Sequence, residues 1–560
     1  MPSNVDITSD ASLKELVENY PLFADLHMHL MGSGDTTYWR DEILRIPETI
    51  VDSDVLAQAG LGWLERHITK KVVLRDIANQ PVALKQAFVM SEPRPGQFNT
   101  AFTPLFTLRT FIAHRSPRTL TRLILWNAKR YGESGAHYVE TSVGAGWFRE
   151  PFLSAIVEGI KTAEREHRVI FRLLLAFNRT KISKDIHNPR HLKDLARRGD
   201  RKLRYVEEPE HFSYHLAELA SVDRELNLNQ EARKLIVGLD IVGNEECRPY
   251  TPFLLPEFLS FASNMRSENP DFGFRLHLGE SISSDDDIGY VSLRLGEYYI
   301  GMLSKRHRFR VRSGHGIGLL SLKDSADNRW KDRYQNLRRI AADRLQENLR
   351  IASIEINLTS NYFLLERLGH IRSDKRTISA HAMGPLLREG FNLVMGTDDP
   401  GIFPDVSLRS EFLKAYEFNL IPDKQTFLKL VNESIRASFA DTDTIRSVSQ
   451  YISEIYPQVA VPPIKRSIPT EKGLLETSQE LDELAEFDEM AYRAAWHIDN
   501  LLDSEKAACA NPQFRAAVVR AFRRIYGSGA VLEVFEDGAV TWRLPEGKKL
   551  GQRNHKLRRR

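Results

Sequence analysis

Apolar residues along this chain gather into short runs, alternating or continuous, with longer stretches of polar and helical periodicity between them. Eight runs read as strands: 23–30 (FADLHMHL), 136–143 (AHYVETSV), 169–178 (VIFRLLLAFN), 235–243 (LIVGLDIVG), 273–280 (GFRLHLGE), 309–316 (FRVRSGHG), 352–360 (ASIEINLTS) and 392–400 (NLVMGTDDP). Strands that alternate with helical segments form parallel β/α units, and eight of them rich in Val, Ile and Leu are what a closed barrel requires. The expected fold is therefore α/β: a (β/α)8 TIM-like barrel over residues 1–440, with long βα insertions at about 31–112 and 179–234. After about residue 441 the strand series stops and a mainly helical C-terminal extension, 441–560, is expected. Within it, AVLEVFEDGAVTWRL reads as β structure, with EDGA turning a hairpin.

The ionisable residues cluster at the C-terminal ends of these runs: His27 and His29, His277 and Glu280, His315, and Asp398 with Asp399. In a β/α barrel those ends converge on one mouth, so residues far apart in sequence can share a site. In a strand His27 and His29 face the same side, and two imidazoles on one side can share a metal. Three histidines and one aspartate satisfy a zinc ion while leaving a position open, which makes His27, His29, His277 and Asp398 the expected ligands of one Zn2+ per chain. Zinc would bring the pKa of a bound water toward neutrality. Glu280, three residues beyond His277, is placed to act as general acid toward a ring nitrogen of a substrate, His315 to orient and deprotonate the attacking water, and Asp399 to hydrogen-bond the substrate. Each has a plainer alternative: TDDP (397–400) also suits a helix N-cap, and His315 a buried core histidine. Their joint placement at successive strand ends favours the site.

Composition narrows the chemistry. With 42% hydrophobic and 27% charged residues the chain reads as soluble and globular, with no apolar run of membrane-spanning length and no secretory pattern at its start, so a cytoplasmic location is expected. Two cysteines, Cys247 and Cys509, exclude a disulfide framework or a thiolate-rich metal cluster. The net charge of +3 includes seven Lys or Arg and no acid in 547–560, so the remainder carries about −4. Nucleic-acid contact is expected, if anywhere, only through this basic tail.

Taken in order, DLHMHLMGS (25–33), LDIVGNEE (239–246), HLGE (277–280), SGHG (313–316), EINLTSN (355–361), GTDDPGIF (396–403) and NESIRASF (432–439) resemble the motifs of the adenosine deaminase family, metal-dependent hydrolases of the amidohydrolase superfamily. The resemblance spans roughly residues 21–440. It implies the zinc ligands named above, Glu280 protonating N1 of a purine, His315 assisting water at C6, Asp399 toward N7 and the Gly243 backbone toward N3. It also implies that FNTAFTPLFTLRTFI (98–112) covers the substrate.

One position departs from the pattern. Where the family commonly places an Asp that holds the sugar hydroxyl, this chain has Met31, which cannot accept such a bond. The expected reaction is deamination of adenosine or deoxyadenosine to inosine and ammonia, with an adenine nucleotide or an N6-modified adenine nucleoside as the alternative. Arg40, Arg109, Arg115 and Arg118 are candidates to meet a 5'-phosphate. A reading of another class makes the chain a degraded barrel serving as a scaffold. A third keeps the metal and changes the reaction to cyclic-amide or phosphoester hydrolysis, against which Glu280 and Asp399 argue. Cytidine-type zinc deaminases are disfavoured because their Pro-Cys-x-x-Cys motif is missing. The expected partner is a small purine nucleoside or nucleotide, with the C-terminal helices offering a surface for homo-oligomer contact.

Overall fold

The computed structural model describes residues 11–46, 49–58, 72–95, 101–178, 208–243, 256–280, 300–316, 352–365, 378–457, 506–526 and 530–544, apart from a few positions inside these ranges. The chain forms two compact units, Met1–Arg466 and Ser467–Arg560. The first is built around eight parallel strands paired in sequence order: β1 (Phe23–His29), β2 (Ala136–Gly144), β3 (Ile170–Asn178), β4 (Ile236–Val242), β5 (Gly273–Leu278), β6 (Arg310–His315), β7 (Ser353–Ile356) and β8 (Leu393–Met395). All eight expected strands are present. The seventh stops early because Asn357 begins a turn into a helix, Leu358–Leu364. The eighth is only three residues long, so the barrel closes just beyond it: His29 N–H donates to Asp398 O at 2.8 Å and Asp398 N–H to His27 O at 2.7 Å. The closing seam thus lies among candidate metal ligands.

Strand alternation sends apolar side chains outward beneath the helices, where the main core lies. In β5, Phe274, Leu276 and Leu278 belong to that core, whereas Arg275 and His277 join polar partners inside the barrel. The helix Lys424–Ala437, capped by Asp423 on Thr426 N at 2.7 Å, packs its buried Phe427, Leu430 and Val431 across β8 and β1. Phe439 closes the floor of the barrel: a Cβ on Gly273 would lie 2.3 Å from its ring and one on Gly238 2.9 Å, so both strands need glycine there. Above this floor sits a layer of buried charge, Glu140, Asp240, Arg275, Arg312 and Glu355, where a barrel ordinarily holds branched aliphatics.

In the first insertion, Met90, Phe102 and Leu105 form a second apolar cluster with Phe363, Leu364, Ile402, Phe403 and Val406 from the β7 and β8 connections. Residues 98–100 and 179–207, within the two insertions, lie outside the described residues, as do Cys247 and the basic tail. Helix Thr442–Ile455, beyond the expected barrel boundary at about 440, falls in the first unit and contacts β2. In the second unit the expected hairpin is present, Val531–Val534 antiparallel to Val540–Arg543, beside a helix Pro512–Tyr526 with Phe514, Val518 and Phe522 buried. Residues 474–505 of the expected helical extension lie outside the described residues. No helix among the described residues is long and apolar enough to cross a membrane.

Candidate metal and catalytic site

At the C-terminal mouth, His27 and His29 leave β1 on one side, His277 rises from β5, and Asp398 follows β8. His29 Nε2 lies 3.2 Å from His277 Nε2 and 3.3 Å from Asp398 Oδ1, and His27 Nε2 lies 3.5 Å from that same oxygen. One ligand atom from each of His27, His29 and His277 falls within 4.8 Å of the others, and the same holds for His27, His315 and Asp398. Two left-handed residues make this convergence. Asp398 (φ 59°) turns back across the seam, and His315 (φ 67°) swings inward out of step with Arg312, its ring centre coming 4.9 Å from that of His27.

A divalent metal fits these residues. His27 Nε2 is fully buried with no hydrogen-bond partner, while His27 Nδ1 is held 2.6 Å from Glu355 Oε2. His277 Nδ1 sits 3.1 Å from Asp240 Oδ1. Carboxylates on the Nδ1 atoms fix both rings with Nε2 pointing to the centre, the usual support for metal-ligating imidazoles. Burial would raise the Glu355 pKa, but Arg312, His27 and Arg275 hold it at about 2. Burial likewise opposes ionisation of Asp240 and Asp398. Arg275 and His277 keep the first well below the usual carboxylate range, and the close approach of His27 with the charges of the neighbouring histidines does so for the second.

The remaining expected residues surround this centre. Glu280 is buried, with Oε1 3.6 Å from His315 Nε2. His315 Nδ1 pairs with Asn361 Oδ1 at 2.8 Å, leaving its buried Nε2 without a hydrogen-bond partner and directed at the centre; burial lowers its pKa to about 3. Asp399 has a buried, unpartnered Oδ1, and burial and the adjacent Asp398 push its pKa well up, which favours its acid form. Gly243 follows β4 with φ 94°, and the residues after it lie outside the description. Met31 is half-buried in the short turn Leu30–Gly32 and packs against the main core. Of the four arginines, Arg40 pairs with neighbouring Asp41, and Arg115 and Arg118 are exposed. Arg109 is fully buried, its Nη2 donating to Phe88 O and Gly401 O at 2.8 and 2.9 Å.

Sequence reading did not single out Glu355, Asp240, Arg275, Arg312 or Asn361 as site residues. The signal was present in part: each of the first four is an ionisable side chain inside an apolar strand run, which in a barrel points either to water or to a partner.

No protein-family model matches the chain, and no curated protein matches it. Solved structures similar to it include an adenine deaminase from Arthrobacter aurescens, 15% identical, covering 78% of this chain and 99% of its own, with a TM-score of 0.46. An N6-methyl-AMP deaminase from Arabidopsis thaliana is 17% identical over 80% of this chain and 100% of its own, TM-score 0.46. A zinc-bound amidohydrolase from Burkholderia ambifaria is 14% identical over 81% and 95%, TM-score 0.47. What the chain is similar to, at this distance, is thus a set of deaminases together with an amidohydrolase.

Proposed function

We propose that this chain is a metal-dependent hydrolase of the adenosine deaminase type that replaces the 6-amino group of a purine nucleoside or nucleotide with oxygen. One observation carries the reading: His27, His29, His277 and Asp398, from three separate stretches of the chain, converge at the barrel mouth beside Glu280, His315 and Asp399. His27, His29, His277 and Asp398 would hold a zinc ion, which when bound supplies a water acidic enough to attack at neutral pH.

The chain's own groups account for the rest. Glu280, in its acid form, protonates N1 and makes C6 electrophilic. His315 Nε2 takes one proton from the water adding to C6 and delivers it to the amine, and the C6–N6 bond breaks to release ammonia. The water's second proton returns to Glu280, whose own proton stays on N1, so the product is the 6-oxopurine and the balance closes. Asp399, as a neutral acid, donates to N7, and the Gly243 backbone faces N3. The buried surroundings exclude bulk water from these transfers.

Met31 supports a substrate whose 5' end differs from that of adenosine, such as a nucleotide, because a thioether leaves a 5'-hydroxyl without an acceptor. The test is ammonia release by the zinc-loaded chain on adenosine, deoxyadenosine, AMP, N6-methyl-AMP and adenine. Turnover of any member is expected, and its identity sets the substrate class. Silence across the panel with zinc bound would overturn the reading, and a chain that takes up no zinc would favour the scaffold.

A further inference from the structure

We infer that Arg275 and Arg312, from inside the barrel, are positioning residues that set the geometry of the metal-ligating histidines; the inference rests on the metal site proposed above. The observation begins in the backbone of β1. Its pairing with β2 shifts register between Asp25 and Met28, so the strand is irregular where it carries His27. At that point the Leu26 carbonyl is met by two guanidinium groups, Arg275 Nη1 at 2.9 Å and Arg312 Nη2 at 3.3 Å. The irregular strand is held from within by both cations.

Each arginine then grips one oxygen of a carboxylate whose other oxygen holds a histidine. Arg275 Nη2 donates to Asp240 Oδ2 at 2.5 Å, and Asp240 Oδ1 faces His277 Nδ1 at 3.1 Å. Arg312 Nε donates to Glu355 Oε1 at 2.5 Å, and Glu355 Oε2 faces His27 Nδ1 at 2.6 Å. The same Arg312 reaches Glu140 Oε2 at 2.5 Å and the Ala437 carbonyl at 3.1 Å, with its guanidinium 3.8 Å over the Phe439 ring. Both side chains are essentially fully buried. Only a planar, multiply donating cation can serve these acceptors together; a lysine ammonium supplies charge but not the fork.

Charge and geometry make opposite forecasts here. Arg275 and Arg312 stand among four buried carboxylates, those of Asp240, Glu355, Glu140 and Asp398, so these anions outnumber the two cations. Removing one arginine makes the interior more negative, and by Coulomb's law alone a divalent cation should then bind more tightly. Loss of the clamp predicts weaker binding, as for other residues that orient metal ligands.

The deciding experiment is zinc affinity of the full chain, measured by competition with a chromogenic chelator, for wild type, Arg312→Met and Arg312→Lys, with circular dichroism to verify folding. Both variants are expected to bind zinc about 10- to 100-fold more weakly. Tighter or unchanged binding in Arg312→Met, or wild-type affinity in Arg312→Lys, would overturn the inference. Where the Arg312 variants do not fold, Glu355→Gln, which keeps the size of the clamped side chain, is expected to weaken zinc binding likewise, and unchanged affinity there overturns it. Weakened affinity in a chain that deaminates no purine would uphold the positioning role while removing the proposed reaction. A wild-type chain that binds no zinc would overturn both.

Discussion

Gly32 shows how tightly the mouth is built at the level of one atom. Its backbone is unstrained, yet a Cβ there would lie 1.5 Å from Asp399 Oδ1. Gly32→Ala must therefore displace Asp399, the proposed N7 donor, without touching a zinc ligand directly. Turnover on the best substrate of the panel is expected to fall about 100-fold, as misplacement by an ångström commonly costs, with zinc content unchanged; loss of zinc in step with activity would contradict this division of roles. Glu280→Gln should behave similarly, folding and holding zinc while losing most turnover, whereas His277→Ala and Asp398→Ala should lose zinc, all readable from metal content beside initial rates. Away from the proposed metal ligands, a further buried imidazole contributes to acid sensitivity. His381 is fully buried, its Nδ1 accepting the Met383 amide at 3.0 Å, and burial lowers its pKa from 6.5 to about 3. Between those values the unfolded chain binds the proton and the folded chain does not, so stability falls as pH drops below 6.5. At pH 5 that amounts to about 2 kcal/mol. His381→Asn should shrink the difference between denaturation midpoints at pH 7 and pH 5, and an undiminished difference would exclude His381 as a contributor.

At the scale of elements, the strands were legible because each is a short apolar run cut off by a turn, and the site because its ionisable residues sit at the C-terminal ends of those runs. What the sequence hid is the barrel interior. Arg275 and Arg312 alternate with Phe274, Leu276, Val311 and Ser313 much as solvent-facing charges would, and only closure of the sheet makes their side the inside. The left-handed turns at His315 and Asp398 were hidden as well, since neither residue type demands that conformation. The sequence suggested a cover in the first insertion and gave no sign of the fastening the structure shows. Its Met90 N–H donates to Ile402 O at 2.9 Å, Phe102 stacks on Phe403, and Arg109 bridges Phe88 O to Gly401 O. All three ties end on the connection that begins with Asp398 and Asp399. Arg109→Met, which keeps a long apolar stem and loses both hydrogen bonds, is expected to loosen that connection: hydrogen exchange at residues 399–403 should rise, with a higher KM and a smaller change in kcat. Wild-type exchange there would show that the apolar cluster suffices to hold the connection.

On the scale of the whole molecule, closure and metal binding share one seam. Among the described residues, two backbone hydrogen bonds, those joining His29 and Asp398 and Asp398 and His27, carry the barrel from Asp398 back to β1 beyond the short β8, and all three residues are proposed ligands. An ion held by them would tie β1 to the connection after β8 and would offset negative charge among the buried carboxylates around it. Binding of this kind stabilises the folded state by mass action, about 4 kcal/mol when free metal exceeds its dissociation constant a thousandfold. Removing zinc with a chelator is therefore expected to lower the melting temperature of the Met1–Arg466 unit by several degrees and to raise hydrogen exchange first at the His29 and Asp398 amides. Both amides donate hydrogen bonds across the seam, so their exchange reports its opening. Exchange that rises evenly across all eight strands would mean that the ion stabilises the barrel as a whole rather than at its seam, and an unchanged melting temperature would mean that the four ligands hold no ion strongly enough to matter for folding.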